Sequence, residues 1–594
     1  MSDVKAQVPC RDLRELSIRA VLTGMVIGAL LTPCNVYSGL KIGWTFNMSV
    51  AAGLIGFAFW SASRHAFATR PLGLHENNIN QTAASASASI IAAGLAAPIP
   101  ALALLTGQTL AFPVLALLLA VVSVLGVVVA AGLRNQLLVR EHLPFPAGVV
   151  TAETMKQIHA GGREAAERVR LLTGFAVLSA GLKVLVARFG IGPMAPPIST
   201  SIATAGGGTT SVSAMNLGIA LDPSVLMIGF GAIAGLRIAA SVLFGAIVSW
   251  LVLGPVALAN GWVAPGAADA SVSWFGDLVE WLLWPGATLM VTASLTAFAV
   301  SIARMILKRG EAAPDGFAEG MSRIGRRELF AGLAVVMVVT VATQAALFGI
   351  GIVEGVIAVL LSYVLAIVAA RVSGETGITP IGALGKITQL TFGAISPGNI
   401  TANLMTANVT GGAAGQCADL MHDLRTGQLV GATPGFQIVA QLFGVLTGAL
   451  VAAFTYLLLI PDPQAQLITA EWPAPAVATW KAVAEVLSKG LDAMPAGSVS
   501  AIAIALVLGI GLALYEGLSG SPIKRWLPSA SAMGFGFVIP AWTAISLFIG
   551  AAAAAAITHF YPSWSERRIV VIAAGLIVGE SLAGVAGAIY SILS

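Results

Sequence analysis

The residues able to do chemistry concentrate between Arg371 and Pro434. Glu375, Lys386, Gln389, Asn399, Asn403, Asn408, Gln416, Asp419 and Asp423 stand there among glycines and two interior prolines, with long apolar runs on either side. Amides offer paired donors and acceptors, and a carboxyl enclosed by protein offers the gain and loss of a proton. Such a stretch cannot face lipid. It is expected to have non-helical backbone and to be packed in protein or to line a wet cavity, and we read it as half of a substrate path.

Similar stretches occur earlier in the chain. Glu76 to Ile90 reads E-N-N-I-N-Q-T-A-A-S-A-S-A-S-I, where small residues permit close helix packing beside Asn77, Asn78 and Gln81. Leu143 to Ile158 is too short and too rich in proline to cross alone, so a re-entrant hairpin or half-helix is expected. Pro196 to Asn216, rich in hydroxyls and glycine, is expected to be a second broken segment whose backbone N–H groups suit a carboxylate, or else a plain turn. Asn77, Asn78, Gln81, Asn399, Asn403 and Asn408 are suited either to bond a ligand's peptide groups or to tie helices together. Glu76, Glu153, Glu375, Asp423 and Glu580 are read as candidates for proton coupling, against static ion pairs or helix caps. His422 beside Asp423 is the histidine whose position invites a test.

The elements that must hold these groups are membrane helices. The 594 residues are 57% hydrophobic and 10% charged, against about 25% charged in an ordinary soluble domain. Mean hydropathy is +0.90. The formal charge of +4 lies in short clusters between apolar runs, which fits positive-inside topology rather than a nucleic-acid partner. The polar start of the chain has no small-residue cleavage site, so the first apolar run, Ile18 to Tyr37, is expected to be a retained helix. Counting crossings of about 20 residues together with broken pieces predicts an all-α polytopic bundle of roughly 14 to 16 membrane helices. Its expected divisions are a cytoplasmic segment 1–17, a first half 18–307, a basic cytoplasmic linker 308–328 and a second half 329–594. Fragments such as G-L-K-I at Gly39 and L-G-K-I at Leu384 suggest that the halves are pseudo-repeats.

Other chemistries lack their motifs. A-L-G-K-I-T around Lys386 has Pro380 and Ile387 where a phosphate-binding loop needs glycine and Ser or Thr. G-F-G-A-I-A-G from Gly229 lies inside an apolar span and reads as helix packing. Cys10, Cys34 and Cys417 have no metal-ligand spacing, so neither a metal site nor a cofactor is expected. No catalytic motif is present in the sequence, and an enzyme is not expected.

The segments N-V-Y-S-G-L-K-I-G-W-T-F, E-N-N-I-N-Q-T-A-A-S, L-P-F-P-A-G, G-K-I-T-Q-L-T-F-G, D-L-M-H-D-L-R-T-G-Q-L-V-G-A-T-P and G-E-S-L-A-G-V resemble motifs of the oligopeptide transporter family, in its prokaryotic branch related to the yellow-stripe-like metal-chelate carriers. They follow in order along almost the whole chain. The resemblance implies a proton-coupled importer of small peptides or peptide-like compounds, with metal chelates as the alternative ligand and a channel as the competing class. A bacterial inner membrane is expected, with Arg64 and Arg70 after the second apolar run setting the N-terminus in the cytoplasm, and a homo-oligomer is left open. Asn35 and Tyr37 of the first motif join Asn77, Asn78, Gln81, Lys386, Gln389, Asn399, Asn403 and Asn408 as expected substrate-binding residues. The long external loops of many eukaryotic members are reduced here.

Overall fold

The computed structural model describes residues 15–43, 45, 47–160, 163–205, 207–307, 326–377, 379–490 and 494–593. Apolar runs become helices because a chain that cannot bond to lipid must satisfy its N–H and C=O groups within one segment. They begin with α1 (Ile18–Ile42), α2 (Ser49–Phe67), α3 (Leu74–Ala88), α4 (Pro98–Thr106), α5 (Phe112–Arg134), α6 (Pro146–His159) and α7 (Arg163–Phe189). Then come α8 (Val225–Ala234), α9 (Leu236–Ala246), α10 (Gly254–Ala259), α11 (Phe275–Leu307), α12 (Arg326–Phe348), α13 (Ile352–Thr376), α14 (Ile381–Ile395), α15 (Ile400–Val430) and α16 (Pro434–Leu459). The last are α17 (Pro463–Gln466), α18 (Pro475–Lys489), α19 (Ser498–Leu518), α20 (Ala530–Phe535), α21 (Ala541–Phe560) and α22 (Pro562–Leu593). Among the described residues, twelve helical stretches are long and apolar enough to cross a bilayer, so the chain is an all-α polytopic membrane protein. Residues 1–14 of the expected N-terminal segment and 308–325 of the expected linker lie outside the described residues.

The centre of the bundle is α15, which is too polar to count among those twelve stretches. Of its 31 residues 25 are buried, because it packs against α5, α6, α13 and α14 and shows lipid no face. This corrects the expectation of non-helical backbone between Arg371 and Pro434, which is nearly all helix. Its glycines serve packing: a Cβ on Gly126 of α5 would lie 2.5 Å from the Ala413 carbonyl of α15, so the two backbones are in contact.

The break instead falls in the first polar stretch. Buried α3 runs into a 3₁₀ turn, Ser89–Ala93, and stops at Gly94 before α4 restarts at Pro98. Gly94 has φ +143°, open to glycine alone at little strain, and its missing side chain leaves room for Asn408: a Cβ would sit 2.4 Å from Asn408 Oδ1. A discontinuous helix in this position resembles the binding elements of many carriers.

Two shorter segments resolve differently. Leu143 to Ile158 contains the expected half-helix, α6, of about 21 Å at 1.5 Å per residue. It is held by Phe145, whose N–H donates to the Gly374 carbonyl at 2.8 Å. Pro196 to Asn216 is no half-helix: Ser199–Ala203 (β1) and Thr209–Ser213 (β2) form an antiparallel hairpin, Ser201 opposite Ser211. Its Thr and Ser content favours strands, and the turn between them is tied by the Thr204 N–H to the Gly208 carbonyl, the Gly207 N–H to the Thr204 carbonyl and the Ala205 N–H to the Ala259 carbonyl.

Candidate functional site

Asp423, 1% exposed, lies on the face of α15 turned toward α2, α3 and α16. Its Oδ1 accepts a hydrogen bond from the Gln81 amide of α3. Ser49 Oγ of α2 lies 3.0 Å from the same oxygen and 2.9 Å from Ser85 Oγ. The Asp423 carbonyl accepts from Gln437 Nε2 of α16 at 2.7 Å, and that amide also reaches Thr82 Oγ1 at 3.1 Å. Four helices therefore meet at one residue, α2 and α3 at its carboxyl and α16 at its backbone carbonyl. Asp423 forms no ion pair among the described residues, and its Oδ2 is buried with no hydrogen-bond partner. One residue away, His422 Nε2 lies 2.9 Å from Ser373 Oγ, and Ser373 continues to Thr379 at 3.0 Å. The His422 ring stands edge-on to Phe145, centroids 5.3 Å apart, with its Nδ1 unpartnered.

The same region holds several amides with nothing to bond. Both polar atoms of Asn78, Asn408, Gln416 and Gln441 are buried without partners, as are Gln81 Oε1 and Gln437 Oε1. Leaving one such atom dry costs about 1–3 kcal/mol, so a helix core does not carry this many without water or a ligand to satisfy them. Gln416, Asp419 and Asp423 recur at three- and four-residue spacing along α15, with Asn408 eight residues before the first of them, which sets all four in a stripe. The stripe passes the chain break at Gly94.

Other expected site residues have partners. Glu76 caps the start of α3 through the Gly73 N–H at 3.3 Å and binds Arg19, Arg70 and Ser17, an ion-pair cluster apart from Asp423. Asn77 donates to the Gly53 carbonyl at 3.1 Å and accepts from Asn80. Asn35 donates to the Ala88 carbonyl at 2.9 Å, where α3 ends. Gln389 and Asn403 bond each other across α14 and α15, and Asn399 caps α15 by accepting from the Ala402 N–H. Glu153 and Glu375 stand exposed on α6 and at the end of α13. Sequence reasoning missed Gln437 and Gln441; four residues apart in an otherwise apolar run, they carry a legible signal.

Glu580 belongs to a second place. Its two carboxylate oxygens accept from Ser224 Oγ and the Leu226 N–H, both at 2.7 Å, closing the start of α8. A cavity of about 130 Å³ opens beside it, lined by Lys183, Asp222 and Ser224. Tyr37 packs edge-on against Trp472 at 5.4 Å, and the Lys41 ammonium lies 5.0 Å from the Trp472 ring. No cluster of three metal-binding side chains occurs among the described residues.

The geometry therefore combines a polytopic bundle, a broken helix and a buried polar stripe, and comparison with known proteins agrees with it. The chain is 26% identical to a Saccharomyces cerevisiae protein named "Putative oligopeptide transporter YGL114W", over 98% of this chain and 97% of that one. It is 23% identical to the metal-nicotianamine transporter YSL2 of Arabidopsis thaliana, over 96% of this chain and 92% of that one. The family pattern described as "OPT oligopeptide transporter protein" matches residues 15–590. The chain belongs to the OPT oligopeptide transporter family.

Proposed function

We propose that this transporter is a secondary carrier importing small peptides or peptide-like compounds by alternating access, with proton movement at Asp423 as the coupled step. The observation that carries the coupling is the Asp423 carboxyl: enclosed, without an ion pair, one oxygen held by donors from α2 and α3 and the other free. Such a group can be ionised while water or ligand reaches it and neutral when they leave, which makes its charge a function of conformation. The unpartnered amides of α3, α15 and α16 then supply bonds for the peptide groups of a ligand. Names of the relatives support a second cargo, a metal already wrapped by an amino-carboxylate chelator.

The bundle's two parts, 18–307 and 329–594, would act as pseudo-repeated halves, with the N-terminus in the cytoplasm of a bacterial cell. The deciding experiment uses purified protein in liposomes with an imposed pH gradient, outside acidic. Uptake of a labelled tripeptide or a ferric chelate should saturate and should collapse when a protonophore removes the gradient. Non-saturating flux indifferent to the gradient would identify a channel and refute the reading.

A further inference from the structure

Two lysines inside the bundle make no ion pair among the described residues: Lys41 in the last turn of α1 and Lys386 in α14. Each ammonium faces an indole instead, Lys41 that of Trp472 at 5.0 Å and Lys386 that of Trp480 at 4.3 Å. Their surroundings differ in charge. Lys183 on one side and Glu471, Asp222 and Glu580 on the other act on Lys41 through space, so it sits in a mixed charged group within the protein. Among the described residues no charged side chain acts in this way on Lys386, which is 3% exposed.

An ammonium gives up more hydration on burial than a contact with one aromatic face returns. The Lys386 site is therefore incomplete as it stands, and what completes it is an anion. The cover over it is Trp480, itself 5% exposed and packed in the hydrophobic core. Trp480 belongs to α18, a separate short helix entered through Ala474 at φ +42°. Its ring lies flush on the backbone of α14, where a Cβ on Gly385 would come within 2.2 Å of it. The Trp480 carbonyl accepts from Gln389 Nε2 at 3.2 Å, one turn along α14 from the lysine, and Gln389 is the partner of Asn403. Moving the indole aside would thus expose the ammonium itself, while the neighbouring Gln389 amide stays bonded to Asn403 and the Trp480 carbonyl, so the lysine alone would take the carboxylate.

We propose that Lys386 is the docking point for a carboxylate of the transported ligand and that the Trp480 indole occupies its place in this conformation. This rests on the carrier reading above and assigns the chemical class its ligand must contain.

The test compares binding of the tripeptide Glu-Gly-Glu with its fully amidated counterpart, Gln-Gly-Gln amide, by calorimetry on purified full-length protein. Wild type should prefer the acidic peptide. Lys386→Gln should weaken the acidic peptide tenfold or more and the amide less than threefold, while Lys386→Arg stays within threefold of wild type. Trp480→Leu should bind the acidic peptide at least threefold tighter, because the ammonium has lost its substitute partner; a role in packing alone predicts a loss. Equal effects on both peptides, no effect of Lys386→Gln, weaker binding by Trp480→Leu, or no carboxylate preference in wild type would each overturn the proposal. Uptake of the acidic peptide into liposomes separates the two readings. Discriminating binding without uptake supports the site and refutes the carrier, whereas undiminished coupled uptake by Lys386→Gln supports the carrier and refutes the site.

Discussion

Replacing Asp423 by Asn tests the central mechanism with almost no change of shape. The amide keeps an oxygen to accept from Gln81 and stay within reach of Ser49, and sets its NH₂ where Oδ2 now has no partner. The expected loss of stability is about one net hydrogen bond, roughly 1 kcal/mol, so the variant should remain folded in detergent. Transport should change in kind. A gradient of two pH units stores about 2.7 kcal/mol per coupled proton, at 1.36 kcal/mol per unit, which supports roughly hundredfold accumulation of ligand for a one-proton carrier. In liposomes holding that gradient, wild type should approach such accumulation, while Asp423→Asn should only equilibrate ligand and still exchange it between preloaded and empty sides. Uphill accumulation by the variant above about tenfold would refute proton movement at this carboxyl. A stability loss beyond about 3 kcal/mol would refute it differently, by showing that the group holds a structural charge.

Three further outcomes follow from the packing. Arg19→Gln should lower thermal stability more than Arg70→Gln, by about 1–3 kcal/mol against under about 1, because Arg19 is the less exposed partner of buried Glu76; equal midpoints in a melting assay would contradict this. Gly94→Ala should destabilise by about 1–3 kcal/mol from backbone strain alone, with the clash on Asn408 added, so Asn408→Ala in the same chain should recover only part of the loss. Asp269, in the loop between α10 and α11, is held below the usual carboxylate range by the backbone N–H and hydroxyl of Ser271. A depressed folded value stabilises the loop above about pH 3.9 and is lost as pH falls through that lower value, so hydrogen exchange of residues 266–272 should rise at the acid end. In Ser271→Ala the rise should begin at higher pH.

Much of this was legible in the sequence where a single physical rule governs. Apolar runs gave helices because lipid leaves no other way to satisfy the backbone, and the charge count excluded a soluble domain. The polar stretches were rightly placed inside the protein, since Asn78, Gln81, Asn408 and Asp423 could not face lipid at low cost. What failed was reading glycine as a helix breaker. In α15 tertiary contact overrides propensity: Gly412 and Gly415 lie inside a continuous helix because neighbouring groups approach where a side chain would block them. The roles of individual polar residues were also beyond reach, because they depend on partners far along the chain. Gln389 looks the same in the sequence as Gln416, yet the amide nitrogen of the first bonds Asn403 and the Trp480 carbonyl while neither polar atom of the second has a partner. The Thr-rich segment at Pro196 was misread for want of weight on its strand preference.

The placement of charge along α14 and α15 says how a ligand and a proton could be felt by one another. Gln389 ties α14 to Asn403 of α15 and reaches the Trp480 carbonyl, so the cover over Lys386 is bonded to the helix that bears Asp423. From Asn403 to Asp423 is about 30 Å of helix at 1.5 Å per residue, buried throughout most of its length and packed on all sides. A helix so enclosed cannot flex locally without opening gaps against its neighbours, so a shift at one end is carried to the other as a rigid-body movement. The Asp423 carboxyl is held by α2 and α3 rather than by its own helix, which means that sliding α15 would change the donors to it. The ligand's carboxylate at one end and the proton at the other would then bias the same movement, and reciprocity requires each to alter the affinity for the other.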